Sequence, residues 1–177
     1  MITFIIGGAR SGKSRFALEK ASLHSGKKAY IATAQALDSE MKERIEKHKK
    51  ERSVVDSTHR EEWITIEEPL NIPALINNIH AKYDVILIDC LTLWLSNLML
   101  ADKDIGTEIE TFCSSLSTVH CSLFAVSNEV GMGIVPDNEL SRRFRDMAGH
   151  LNQKVAGIAN EVYSVTAGIP LKIKQEA

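Results

Sequence analysis

The stretch "FIIGGARSGKSRF", residues 4–16, joins an apolar run to a glycine-rich loop that ends in a lysine and a serine. Gly7, Gly12, Lys13 and Ser14 match the phosphate-loop pattern G-x-x-x-x-G-K-S, between a predicted strand and a predicted helix. Glycines let the backbone curl so that successive N–H groups point at an anion, and the helix start adds its own N–H groups and dipole. The pattern predicts a bound nucleoside triphosphate, with Lys13 on its β and γ phosphates and Ser14 on Mg²⁺.

Buried strands alternate with helical segments along the rest of the chain. "YDVILIDC" (83–90) is the strongest strand signal, because four consecutive aliphatic residues suggest burial on both sheet faces. Further strands are predicted at 2–6, 27–33, 61–69 and 121–127, with a closing strand or hairpin at 161–174. Helices are predicted at 14–24, about 39–52, 70–82, 91–100, 105–119 and, with some breaks, 137–160. The order predicts one α/β domain over 1–177 of the P-loop NTPase (RecA-like) type, with a mainly parallel sheet flanked by helices.

The composition narrows the class of partner. The chain has 177 residues, 44% hydrophobic and 25% charged, with a formal net charge of −2, so no excess of positive charge draws nucleic acid or an anionic membrane. Its apolar runs fall short of the roughly 20 residues that a membrane span needs. The start "MITFII" lacks a signal-peptide pattern, and the three cysteines have no metal-ligand spacing. These features predict a cytoplasmic protein with reduced thiols.

A second acidic residue is expected near the phosphate loop, to hold the metal ion or its water. Asp89 ends the strand "VILID" and fits this role, on a strand expected beside the first one. The alternative is that Asp89 only caps the next helix. Arg10 and Arg15 flank the loop and could contact phosphate, although exposed arginines need no function.

The segment "DSEMKERIEKHKKER", residues 38–52, carries a histidine among cations. Glu40, Arg44 and His48 share one face of the predicted helix. A neutral imidazole there could attack an α-phosphate and form a covalent nucleotidyl-histidine. A solvated, salt-bridged helix explains the same spacing, so the segment alone leaves both interpretations open.

A second glycine loop lies in "SNEVGMGIVPDNELSRRFRDMAGHLNQ", residues 127–153. It follows the predicted strand 121–127, so it begins where ligand sites of α/β folds lie. Asn128 and Glu129 are expected in that crevice, and Pro136 and Asp137 suit a helix start. Three arginines could then hold an anion: Arg142, Arg143 and Arg145. A structural loop before an amphipathic surface helix is the alternative.

The combination of these segments resembles a known family. "GGARSGKS", "YIATAQALDSEMKERIEKHKKER", "WITIEEPL", "VILIDCLTLWLSNL", the second glycine loop and "VTAGIPLKIK" occur in this order over nearly the whole chain. They resemble the bifunctional adenosylcobinamide kinase/adenosylcobinamide-phosphate guanylyltransferase family of cobalamin biosynthesis. The phosphate loop alone is common to many families, whereas the R-I-x-x-H stretch and "NEVGMGIVP" are specific.

The resemblance implies two reactions and a nucleophile. A nucleoside triphosphate, ATP or GTP, phosphorylates the hydroxyl of the aminopropanol arm of adenosylcobinamide. GTP then guanylylates an enzyme histidine, and the GMP passes to adenosylcobinamide phosphate to give adenosylcobinamide-GDP. The family histidine of R-I-x-x-H is His48 here, which makes His48 and Lys13 the predicted catalytic residues.

The resemblance also implies the binding residues and an assembly. Ser14 and Asp89 are the predicted metal ligands, the corrinoid is the predicted substrate, and a homo-oligomer is expected. The predicted nucleotide contacts are Gly7, Gly8, Ala9, Arg10, Ser11, Gly12, Lys13, Ser14, Ala32, Thr33, Ala34, Lys49, Lys50, Glu51, Arg52, Glu67 and Asp89.

Three rival functions compete with this interpretation. A phosphate-loop kinase for a small alcohol would use residues 7–14 and Asp89 but would leave His48 without a role. A nucleotide-dependent switch or ATPase would bind a protein partner and transform no small molecule. A nucleic-acid role is the weakest, because glutamates interrupt the one basic stretch at positions 40, 43, 46 and 51.

Overall fold

The computed structural model describes residues 1–35, Glu43 and 63–175. In this part of the chain the strands are β1 (Ile2–Gly7), β2 (Lys28–Ala32), β3 (Trp63–Glu67), β4 (Val85–Asp89), β5 (Ser122–Asn128), β6 (Glu161–Thr166) and β7 (Ile169–Gln175). The helices are α1 (Lys13–Ser22), α2 (Ile72–Ile79), α3 (Leu91–Leu100), α4 (Ile105–Leu116) and α5 (Glu139–Ile158). The helix predicted over about 39–52 lies outside the described residues, apart from Glu43.

The strands form one seven-stranded sheet in the order β3-β2-β4-β5-β1-β6-β7. All pairs are parallel except β6 with β7, which is an antiparallel hairpin. The predicted α/β fold with a mainly parallel sheet is confirmed, and the 161–174 segment is the hairpin that was expected. Because the carboxyl ends of parallel strands share one edge of a sheet, loops from β1, β2, β4 and β5 all emerge there.

The side chains of the strands alternate between two apolar cores. Ile5, Leu87 and Phe124 face α1, while Phe4, Ile86 and Ala125 face the layer formed by α2, α3, α4 and α5. These strand residues are 0–1% exposed, as the aliphatic run of β4 predicted. The central strands are thus fixed on both faces, which makes their carboxyl edge a firm platform for the loops.

Three expectations from the sequence are wrong. The strand that ends at Asp89 does not lie beside β1, because β5 pairs with both strands and separates them. The last helix has no breaks, since α5 runs through Gly149 and Gly157 as one 20-residue helix. This helix also begins later than Pro136–Asp137: its N-cap is Asn138, whose side chain accepts a hydrogen bond from the Ser141 N–H.

None of the helices within the described residues is long and apolar enough to cross a bilayer.

Candidate nucleotide site

The phosphate loop connects β1 to α1 and is closely packed on its outer side. A Cβ on Gly7 would lie 2.4 Å from the Val165 carbonyl oxygen, so the backbone of β6 leaves no room for a side chain there. Gly12, the N-cap of α1, has φ 92°, a left-handed conformation that glycine adopts without strain. The two glycines of the pattern are therefore required by geometry, Gly7 by contact and Gly12 by conformation.

Lys13 and Ser11 are the two buried polar residues of the loop. The Lys13 ammonium donates to the Gly8 carbonyl oxygen at 3.1 Å, and the residue is only 7% exposed. The Ser11 hydroxyl is buried and has no hydrogen-bond partner among the described residues. A buried hydroxyl of this kind is costly unless something bonds to it, and it lies on the side of Gly7 that faces the Val165 carbonyl oxygen.

The sheet register brings three predicted site residues into one row. Ala32 lies opposite Glu67 on one side and Asp89 on the other, and Asp89 lies opposite Val126 on β5. Gly7 pairs with Asn128, two residues farther along β5. The carboxylates of Glu67 and Asp89 therefore come from the same edge of the sheet as the phosphate loop.

Asp89 is held by an aromatic hydroxyl. The Tyr30 hydroxyl donates to Asp89 Oδ2 at 2.8 Å, and the Asp89 side chain is half-buried. The N-cap of α3 is Cys90, so the alternative that Asp89 serves only as a helix cap is wrong.

Thr33 joins the ends of β2 and β4. Its hydroxyl donates to the Cys90 carbonyl oxygen and accepts from the Cys90 N–H, both at 2.8 Å. Asn97 of α3 donates to the carbonyl oxygens of Thr33 at 2.8 Å and Pro69 at 3.0 Å. We call Thr33, Cys90 and Asn97 the Thr33 clamp. Thr33 is predicted to contact nucleotide, and its hydroxyl is engaged in these structural bonds. Its neighbours Ala32 and Ala34 are half-buried.

The Cys90 thiol, next to Asp89, has a shifted pKa. Burial, and secondarily the negative charge of Asp89, raise the pKa of the Cys90 thiol to about 11. The thiol is therefore neutral at physiological pH and adds no charge beside the carboxylate. This agrees with the expectation of reduced thiols, since all three cysteines are free and buried.

The second glycine loop starts directly against the phosphate loop. The Glu129 N–H donates to the Gly7 carbonyl oxygen at 3.0 Å. Asn128 is fixed by two helices, because its N–H donates to Thr92 Oγ1 at 2.6 Å and its carbonyl accepts from Asn152 Nδ2 at 3.1 Å. Asn128 thus ends β5 at the carboxyl edge of the sheet, and the position of its side chain in the crevice stays a prediction.

The arginines after this loop have mixed surroundings. Arg142 donates to the carbonyl oxygens of Pro136 and Asp137, at 3.1 and 2.6 Å, and so stabilises the turn into α5. Arg145 pairs with Asp146 at 3.1 Å, whereas Arg143 is exposed. The structure thus gives Arg142 a role in the fold that the sequence did not suggest. Beside the phosphate loop, Arg15 forms an exposed ion pair with Glu19 at 3.0 Å.

Some predicted site residues fall outside the described part of the chain. These are His48 and its neighbours Lys49, Lys50, Glu51 and Arg52. Conversely, four residues that match no short motif form side-chain hydrogen bonds at the site: Tyr30, Thr92, Asn97 and Asn152. The one sequence signal for Asn97 is a polar amide within the apolar helix "LTLWLSNL".

The residues at this edge suit Mg²⁺, which binds oxygen ligands and in nucleotide sites takes one or two protein ligands plus phosphates. Ser14 supplies a hydroxyl at the start of α1, and Asp89 supplies a carboxylate at the end of β4. Within the described ranges, no group of three or more His, Cys, Asp and Glu side chains could hold a metal ion. Ser14 and Asp89 therefore suit a magnesium ion whose remaining ligands are phosphate oxygens and water.

Comparison with known proteins identifies the family. The profile described as "Cobinamide kinase / cobinamide phosphate guanyltransferase" matches residues 3–173. The chain belongs to this family. The resemblance drawn from the sequence is therefore confirmed, and with it the prediction of an enzyme family that uses nucleotides.

Relatives of the same length support this. Bifunctional adenosylcobalamin biosynthesis protein CobP of Pseudomonas aeruginosa is 42% identical over 179 residues, which cover 99% of each chain. Bifunctional adenosylcobalamin biosynthesis protein CobU of Escherichia coli is 40% identical over 189 residues, covering 98% of this chain and all of the relative.

A solved structure supports the fold. The flagellar accessory protein FlaH of Methanocaldococcus jannaschii superposes with a TM-score of 0.55 at 11% identity, covering 99% of this chain and 78% of that chain. At this identity the likeness concerns the fold alone, and it agrees with the P-loop NTPase class.

Proposed function

We propose that the protein phosphorylates adenosylcobinamide and then transfers GMP from GTP to adenosylcobinamide phosphate. The observation that carries this proposal is the family match over residues 3–173 in a chain whose phosphate loop and Asp89 lie at one sheet edge. The relatives are named as bifunctional adenosylcobalamin biosynthesis proteins. One domain spanning 1–177 would house both reactions.

In the first reaction the hydroxyl oxygen of the aminopropanol arm attacks the γ-phosphorus of ATP or GTP. The bond from that phosphorus to the bridging oxygen breaks, the nucleoside diphosphate leaves, and the hydroxyl proton is released. Lys13 would neutralise charge on the β and γ phosphates, exchanging its contact with the Gly8 carbonyl for phosphate oxygens. Mg²⁺, held by Ser14 and Asp89, would add charge neutralisation and orientation when bound.

In the second reaction a ring nitrogen of His48 attacks the α-phosphorus of GTP. The bond to the bridging oxygen breaks and pyrophosphate leaves, so that GMP is joined to the imidazole by a P–N bond. A phosphate oxygen of adenosylcobinamide phosphate then attacks the same phosphorus, and the P–N bond breaks to release His48. The covalent intermediate divides one displacement into two. The assignment of His48 rests on the R-I-x-x-H resemblance.

The covalent intermediate is tested by labelling. The protein is incubated with Mg²⁺ and GTP labelled at the α position or, separately, at the γ position, and is then denatured. We expect the α label alone to remain on the protein, to be lost in acid and to survive in alkali, because a P–N bond to histidine behaves in this way.

Two variants provide the control. His48→Ala should abolish the α label, whereas His150→Ala, at an exposed position on α5, should retain it. A wild-type protein that keeps no α label would contradict the guanylyltransferase half and favour the small-alcohol kinase. Phosphate release from GTP without any corrinoid would favour a nucleotide-dependent switch. The homo-oligomer stays a prediction, which sedimentation velocity checks directly.

A further inference from the structure

The carbonyl groups of the phosphate loop are fixed by donors from distant parts of the chain. The Gly7 carbonyl accepts from Glu129 N–H at 3.0 Å, and the Ser11 carbonyl accepts from Gly168 N–H at 2.8 Å. In a planar trans peptide the N–H points away from the C=O. Holding the Ser11 carbonyl therefore turns the N–H of Gly12, in the same peptide, to the opposite side.

Gly168 lies in the tight turn of the β6–β7 hairpin. Ala167 has φ 52° and Gly168 has φ 82°, so both central residues of the turn are left-handed, as in a type I′ turn. The turn touches the phosphate loop, since a Cβ on Gly12 would lie 3.2 Å from Gly168 Cα. The conformation of the turn thus determines where the Gly168 N–H points.

The hairpin is also joined to the helix that follows the phosphate loop. Lys20 of α1 pairs with Glu161 at 3.3 Å, and Lys172 of β7 pairs with the same carboxylate at 2.8 Å. The rings of Phe16 and Tyr163 pack with centroids 5.2 Å apart. The hairpin therefore contacts both the loop and α1, the two elements that supply N–H groups to an anion.

We infer that Gly168 is a positioning residue for the phosphate loop: its N–H holds the Ser11 carbonyl outward and leaves the Gly12 N–H for a phosphate. This inference rests on the proposed use of residues 7–14 to bind a nucleoside triphosphate. Gly168 does not act on substrate itself. Its effect is to orient in advance a donor that would otherwise have to reorganise when the nucleotide binds.

The sharpest test deletes the single N–H. Glycolic acid in place of Gly168, introduced by nonsense suppression, replaces the amide with an ester and leaves the turn without a side chain. We expect the Kd for GTP, measured by titration calorimetry, to rise about 5- to 10-fold, as for the loss of one hydrogen bond. The matched control is lactic acid in place of Ala159, whose N–H donates to the Val155 carbonyl at 2.9 Å, at the end of α5.

The control separates positioning from stability. Both esters should lower the melting temperature, but the Ala159 ester should keep the Kd for GTP within about twofold of wild type. Equal Kd values for the Gly168 ester and wild type would overturn the inference. A Kd raised equally by both esters would overturn it too, because the effect would then be general destabilisation.

Two ordinary substitutions, Gly168→Ala and Ala167→Gly, repeat the test without an unnatural residue. Gly168→Ala meets no atom within 4 Å but puts a Cβ at φ 82°, whereas Ala167→Gly removes a Cβ at φ 52°. We expect the Kd for GTP to rise in Gly168→Ala and to stay unchanged in Ala167→Gly. Failure of the α-label experiment would leave this inference standing, whereas a wild type that does not bind GTP would overturn both.

Discussion

The phosphate loop and the Thr33 clamp lie at the same edge of the sheet but are built from different groups. The loop is fixed through backbone atoms: the carbonyls of Gly7 and Ser11 accept from backbone N–H groups, and Gly7 has no room for a Cβ. The clamp is fixed through the hydroxyl of Thr33 and the amide of Asn97. A backbone device needs glycine at set positions and leaves a short motif, whereas a side-chain device leaves none.

Gly7→Ala should have the largest effect on stability and on GTP binding. Its Cβ would lie 2.4 Å from the Val165 carbonyl and 2.7 Å from the Ser11 hydroxyl. Since one of these neighbours is backbone, β1 or β6 must shift, at a cost of about 2–3 kcal/mol of unfolding free energy. Urea unfolding checks the stability, and GTP binding should be lost because the loop moves. Gly8→Ala, with no atom within 4 Å, should unfold within about 0.5 kcal/mol of wild type.

Thr33→Val should destabilise the clamp by about 2 kcal/mol, because the buried Cys90 N–H loses its acceptor. The Cys90 carbonyl keeps a bond from the Trp94 N–H at 3.2 Å, which limits the loss. Thr33→Ser retains the hydroxyl and should recover most of the difference. Urea unfolding of the three proteins gives the comparison, and equal stability of the valine variant would show that the hydroxyl does not hold the two strands.

Glu161→Gln tests the hairpin behind the phosphate loop at a smaller scale. The hydrogen bond from Lys172, followed by that from Lys20, lowers the pKa of Glu161 in the folded protein. A lowered carboxyl pKa stabilises the fold above the unfolded-state pKa, and this stabilisation is lost as the pH falls through the folded-state pKa. The carboxylate is 15% exposed and the Lys172 side chain is 34% exposed. We therefore expect Glu161→Gln to lose less than about 1 kcal/mol of unfolding free energy at pH 7.

The pH dependence supplies the check for Glu161. The difference in unfolding free energy between wild type and Glu161→Gln should shrink as the pH is lowered below about 4, the range where a free glutamate titrates. A difference that stays constant from pH 7 to pH 3 would contradict the assignment of these ion pairs.

The smallest effect is expected at Cys90. With its pKa raised to about 11 by burial and by Asp89, the thiol stays protonated at pH 8 and reacts little as a nucleophile. Iodoacetamide at pH 8 should leave Cys90 unmodified in the folded protein and alkylate it in urea, as peptide mass spectrometry shows. Rapid labelling of the folded protein would mean that the clamp opens readily.

The sequence predicted those parts of the molecule that follow a local rule. Aliphatic runs identified β4 and β5, and the glycine pattern identified residues 7–14, because burial and backbone curvature each leave a local signature. The neighbour of β1 was predicted wrongly, since strand order depends on the crossovers between distant segments. Tyr30, Asn97 and Gly168 were missed for a related reason: each acts through a bond to a residue far away in the chain.

The position of β1 between β5 and β6 has a consequence for synthesis of the chain. Gly7 pairs with Asn128 on one side and Val165 on the other, so both neighbours of β1 are synthesised more than 110 residues after it. Until residues 161–175 are available, β1 has an open edge and the Ser11 carbonyl lacks its donor. A nascent chain should therefore gain its full affinity for nucleotide only after residues 161–175 have emerged, so nucleotide stabilises shorter chains less.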